Sequence, residues 1–262
     1  MPLLDIMDPV QFRTYLLVLI RISILLYMFP VFSSNVFPAS LKMGFVLVLS
    51  LLFYSVVPVD LDRFPMDVVS TGLLIAMEAM VGMMMGLCVR IFFGSVQLAG
   101  QVIGFQIGFA MINVLDPQSG SNVSIMDQLG YWICVVVFLL ADGHHVMISA
   151  VIESFELVPL GGGVLHKAAL VKIMGLVANL FRLAIKVGAP VIAALLFVSV
   201  GFGLVSKFSP QMNVMIMAFP LKIAVGLALF AFTLEIISIV TRNYVAGLKK
   251  ILLYLLYFAG GG

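Results

Sequence analysis

Arg21, Glu78, Arg90, Arg182, Lys186, Lys222 and Glu235 stand in or beside stretches that are otherwise apolar. A charge at the centre of a membrane-spanning helix costs about 2.5–3.5 kcal/mol on insertion scales, so each is expected to face protein or water. Glu78 has too short a stem to reach an interface. Two chemistries are open to it: an ion pair with an arginine or lysine, Arg21 being the first candidate, or the carriage of a proton. Arg182 and Lys186, four residues apart, share a helical face as a basic stripe that either snorkels or serves function. The histidines are His144 and His145, inside Asp142-Gly-His-His145, and His166. A metal site wants converging ligands, such as two histidines four apart on one face. Adjacent residues on a helix point about 100° apart. One ion shared by His144 and His145 is therefore not expected, and no catalytic group is assigned.

A second pattern is not ionic. In the run from Gly94 to Pro117, the residues Gln97, Gln101, Gly104, Gly108, Met111 and Leu115 fall on one stripe of a helix, with Val102, Ile103, Phe109 and Ala110 opposite. A stripe of amides and glycines suits close backbone packing or the wall of a water-filled passage. The amides favour the passage, because water satisfies them cheaply. Asp116-Pro117 is expected to end this helix, since proline lacks the donor and constrains the residue before it.

These residues must be held by elements suited to lipid. The chain has 262 residues, 63% hydrophobic and 10% charged, whereas soluble domains are about 45–50% apolar and about 25% charged. That composition defines an all-α polytopic membrane protein. Apolar segments cover roughly 10–31, 40–57, 68–93, 168–205 and 214–240, near the ~20 residues that cross a bilayer core. Between them, 129–141 is short, and Asp142–His145 interrupts it before 146–152. The tail 242–262 is either a last helix or an interfacial one. Six spans would put both termini on the cytoplasmic side by the weight of Arg63, Lys167, Lys172, Lys249 and Lys250. The net charge of +2 is too small to imply nucleic acid. Cys88 and Cys134 lie in apolar runs and are expected to be small buried hydrophobes. Asp5 and Asp8 occupy the place where a cleavable leader would carry positive charge, so none is expected. A transporter with Glu78, Arg182 and Lys186 at a midplane site is the rival reading, but the paired broken helices of an inverted repeat are not evident.

Along nearly its whole length the chain resembles the FliR-type export-gate proteins of flagellar and related type III secretion systems. The resemblance rests on Arg21 with Pro30-Val-Phe32 and Val36-Phe-Pro38 before Lys42, on Glu78-x3-Gly82-x3-Gly86, and on Ala99-Gly100 through Gly104-Phe-Gln-Ile-Gly108. It continues through Asp116-Pro117, Gly143-His144, Ala189-Pro-Val191, and Ser209-Pro-Gln-Met-Asn213 followed by Leu221-Lys222. It implies one export-gate domain over 1–262, built of helical hairpins, non-enzymatic and without cofactor. The implied partners are FliP-type and FliQ-type subunits, FlhB-type and FlhA-type components, exported flagellar polypeptides in transit and membrane lipid. The implied location is the bacterial inner membrane within the flagellar basal body. A plug at about 108–124 is implied as well, with Gly108, Phe109, Met111, Val114, Leu115, Asp116 and Pro117 closing a pore lined by Gln97, Gln101 and Gly104. Where the family usually has Asn-Gly-His, this chain has Asp142-Gly-His144.

Overall fold

The structure is a computed structural model that describes residues 9–33, 37–55, 57, 67–109, 125–209, 211 and 214–261. Every regular element among these is a helix: α1 (Pro9–Met28), α2 (Pro30–Ser33), α3 (Ala39–Tyr54), α4 (Val68–Ile107), α5 (Ile125–Leu140), α6 (Gly143–Leu157), α7 (Lys167–Phe208) and α8 (Val214–Ala259). Prolines punctuate the first three. Pro9 and Pro30 open α1 and α2 at the position where a missing N–H costs nothing, and Pro38 stands extended before α3. The Asp67 carboxylate caps α4, accepting the Ser70 N–H at 3.3 Å, and His166 Nδ1 accepts the Ala168 N–H at 3.2 Å to start α7.

Among the described residues, four helices are long and apolar enough to cross a membrane: those containing Gln11–Met28, Val68–Ile107, Lys167–Phe208 and Met217–Ala259. The broken pair α5 and α6 makes up to five, and α3, with 16 residues, falls short. The expected boundaries shift in three places. The segment ending near 93 runs on to Ile107, so the Gln97–Gly108 stripe is the second half of a 40-residue helix. The tail is not a separate helix but the end of the 46-residue α8. The short fourth segment breaks at Asp142, which adopts φ 60, and resumes through Leu157. Pro190 and Pro220 are carried inside α7 and α8.

The chain forms two compact units. One comprises Met1–Ile91, Asp142–Val177 and Val245–Gly262, the other Phe92–Ala141 and Ala178–Tyr244. In the first, α1 packs on α3, where Tyr54 donates its hydroxyl to Gln11 Oε1 at 3.0 Å. Val18, Ile22, Met85, Val89, Leu248, Leu252 and Leu255 belong to its buried interior. In the second, Ile103, Ile107, Met126, Val191, Leu195 and Phe230 form one buried cluster. Phe92 stacks on Tyr244 at 3.9 Å between ring centroids, and Cys134 lies 3.4 Å from the Thr241 hydroxyl. Cys88 and Cys134 are both buried. Many large apolar side chains remain outside, among them Val171, Met174, Phe181, Ile185, Phe197, Leu204 and Phe208 along α7. That surface belongs to a protein surrounded by lipid or by other apolar chains.

Candidate functional site

In the first unit the fold is tied at Arg21 and Glu78, each 1% exposed. Glycines make the meeting possible. A Cβ on Gly82 would stand 2.6 Å from the Arg21 carbonyl oxygen, and one on Gly86 2.6 Å from Met28 Cβ. The Glu78-x3-Gly82-x3-Gly86 pattern therefore lets α1 approach α4 closely, and Arg21 arrives beside Glu78, one turn before Gly82. Arg21 Nε donates to Glu78 Oε2 at 2.6 Å. One terminal nitrogen donates to the Ser154 carbonyl at 2.9 Å and to its hydroxyl at 3.3 Å, and the other donates to the Val158 carbonyl at 3.0 Å. The guanidinium carbon lies 4.4 Å from the centroid of the Phe155 ring. Glu78 Oε1 accepts the Gly161 N–H at 2.8 Å, in a turn where Gly161 has φ 73.

This one pair thus joins α1, α4, the end of α6 and the turn that follows it. Burying two charges is tolerable only when hydrogen bonds satisfy them, and here every side-chain nitrogen of Arg21 and both oxygens of Glu78 have a partner. Both Glu78 oxygens are engaged, which favours the anchor over the proton carrier. The other basic residues of the apolar stretches are differently placed. Arg90, Arg182 and Lys186 are exposed and Lys222 is half-buried, so within this chain the expectation of buried charges holds for Arg21 and Glu78 alone. Long stems carry the other four outward, and Arg182 is engaged by Asn179 Oδ1 at 3.0 Å.

In the second unit the structure describes the end of α4. Ile107 is the last residue of α4, and Gly108 follows with φ 103. The Phe109 N–H bonds to the Gly104 carbonyl at 3.0 Å, and the Gly108 N–H to the Phe105 carbonyl at 3.1 Å. These are the two bonds of a Schellman stop, which favours glycine at the left-handed position. The helix therefore ends well before Asp116-Pro117, contrary to expectation, because the glycine stop acts first. Phe109 does not hang free as a plug residue; it packs against the cluster of Ile103, Ile107, Met126, Val191, Leu195 and Phe230. Met111, Val114, Leu115, Asp116 and Pro117 lie outside the described residues. Phe109 and Met126, on either side of 110–124 in the sequence, thus meet in one cluster.

Gly100 locks the return. A Cβ there would overlap the Asp127 backbone and stand 2.8 Å from the Met126 carbonyl oxygen. Beside it, Gln101 Nε2 donates to Asp127 Oδ2 at 3.2 Å. Of the stripe, Gln101 is exposed, Gln97 half-buried and Gly104 buried, so packing accounts for the glycines and leaves Gln101 the amide most open to a passage. Replacing Gly108 with alanine is expected to cost about 1–2 kcal/mol, the penalty of a left-handed L-residue, besides forcing Phe219 to move from 2.8 Å. Thermal unfolding of the two proteins in one detergent measures it.

The histidine pair also departs from expectation. The His144 and His145 rings lie 4.1 Å apart between centroids. One donor atom from each of Asp142, His144 and His145 falls within 4.8 Å of the others. The 100° splay governs Cα–Cβ directions, and imidazoles extend far enough beyond them to turn back towards each other.

Fold and anchored knot together define an all-α polytopic membrane protein whose helices are pinned by a buried ion pair. A family model of the bacterial export proteins, family 1, matches residues 12–248, and the chain belongs to that family. It is 31% identical over 240 residues to the flagellar biosynthetic protein FliR of Bacillus subtilis (strain 168), covering 88% of this chain and 90% of that protein. The FliR of Escherichia coli (strain K12) is 25% identical over 220 residues, 84% of each chain. The FliR of Aquifex aeolicus (strain VF5) is 26% identical over 255 residues, 95% of this chain and 97% of that one.

Proposed function

We propose that this FliR-type flagellar export protein supplies part of the wall and the closing segment of a conduit for unfolded polypeptides. The observation that carries the reading is the rooted base of 110–124. A helix stopped at Gly108, Phe109 and Met126 in one cluster, and Gly100 against Asp127 hold both ends of a segment whose apolar residues Met111, Val114 and Leu115 suit closure by dewetting. Asp116 and Pro117 belong to the same segment. Gln101 lines water next to it, with Gln97 and Gly104 behind.

The whole chain, 1–262, acts as one export-gate domain in the bacterial inner membrane, within the flagellar basal body. Its exposed apolar helices are covered by lipid and by FliP-type and FliQ-type subunits, with FlhB-type and FlhA-type components adjoining. It performs no catalysis and needs no cofactor; its work is to exclude ions until a polypeptide passes. A closed state a few kcal/mol below the open one leaves the open form about 0.1–10% populated. Removing the closure therefore raises leak about 10–1000-fold. The test is deletion of 110–117, which spares Phe109 and Met126, with conductance recorded from the assembled complex in a planar bilayer. Conductance equal to that of the intact complex would remove the closing role.

A further inference from the structure

We propose that Asp142, His144 and His145 form a binding site for one divalent transition-metal ion of the zinc or copper(II) kind. The three residues straddle the break before α6. Their donors lie within 4.8 Å of one another, and Asp142 Oδ1 stands 3.2 Å from His145 Nδ1. Ligands about 2.0–2.2 Å from a tetrahedral zinc are separated by about 3.3 Å. The Asp142–His145 pair already has that spacing, and a His144 donor lies within 4.8 Å of both. Two imidazoles and a carboxylate are the donor set that such ions take, with a remaining position left to water.

Two further observations distinguish this group from a polar helix start. Asp142 begins α6 without capping it: its side chain makes no cap hydrogen bond. It is also the sole non-glycine of positive φ among the described residues, a strained placement that turns its carboxylate to His145 instead. His144 Nδ1 is buried with no hydrogen-bond partner among the described residues, a polar atom that an ion or its water would satisfy. Access is open from outside, since the side chains of His145 and Asp142 are 69% and 71% exposed. A bound ion replaces the Asp142–His145 hydrogen bond and clips the first turn of α6 to the residue ahead of it.

The test is calorimetric titration of zinc ion alone into the full chain, purified in detergent without a histidine tag. One ion per chain is expected. Asp142→Asn, which keeps a residue tolerant of the left-handed region, and His145→Asn should each weaken binding by at least the about 10–100-fold that outer-sphere changes cost. His166→Asn, whose ring stacks on Phe258, should leave it unchanged. Zinc should raise the unfolding temperature of the native chain and not that of His145→Asn, a readout that also reports whether the variant is folded. Absence of saturable binding, or equal affinity in the Asp142→Asn/His145→Asn double variant, overturns the site.

Discussion

Glu78→Ala is expected to cost about 3–5 kcal/mol of stability, the range for stripping one partner from a buried ion pair. The reason lies in what stays behind. The Arg21 side chain is 1% exposed, and its backbone is packed closely on Gly82. Its bonds to the Ser154 and Val158 carbonyls stabilise the cation without neutralising it, and the Gly161 N–H loses its acceptor. Replacing both partners together, Arg21→Met with Glu78→Leu, should recover much of the loss, since a buried pair exchanged for apolar side chains is often near neutral. Recovery stays incomplete, because the Val158 carbonyl and Gly161 N–H are then unpaired, whereas the Ser154 carbonyl still accepts the Val158 N–H at 3.0 Å. Denaturant unfolding of the three proteins in one detergent gives the ordering. A single-variant loss below about 1 kcal/mol, the scale of an exposed pair, would deny the knot its anchoring role.

Gly100→Val should be the most damaging change in the second unit. The added Cβ meets backbone, with the Asp127 nitrogen at 2.7 Å and the Met126 carbonyl oxygen at 2.8 Å, so no side-chain rotation relieves it. Overpacking of this sort costs about 1–3 kcal/mol and sometimes more. Relief requires α5 to shift at its first turn, which breaks the Gln101–Asp127 bond of 3.2 Å and displaces Met126, where residues 110–124 return. A loss of flagellar export beyond the fall in protein level is expected, read as secreted flagellar subunits per folded chain. Gly175→Val is the control, because a Cβ there meets nothing within 4 Å. Equal export in the two variants would separate the Gly100 contact from the gate.

Much of this could be read before any coordinates. The helical class and the membrane location follow from composition, since a chain with so few charges has little else to present to water. Arg21 was legible as the first candidate partner of Glu78, because a carboxylate too short to snorkel out of an apolar run either pairs with a cation or carries a proton. Family-like glycine spacings located Gly82 and Gly86, though not what they face. The extent of α4 was hidden: where a helix is apolar all round, its periodicity carries no boundary, and Gly94 passes inside it with only the Leu180 side chain at 3.6 Å.

Other features were settled only by three-dimensional packing. The stop at Gly108 depends on φ 103 and two carbonyl contacts, whereas Asp116-Pro117 looked the stronger break by residue type. Phe109 became an anchor because the cluster around Ile103 and Phe230 comes from residues more than a hundred positions apart. The convergence of Asp142, His144 and His145 rests on one left-handed backbone angle and on ring rotation. The amino-acid sequence alone determined that this chain is a helical membrane protein whose few charges in apolar stretches must face protein or water, because the cost of polar groups in lipid falls on each residue separately. Which helix ends where, which glycine admits a neighbour and which charge stays outside were decided by tertiary structure, because those outcomes depend on atoms brought together from distant stretches of chain.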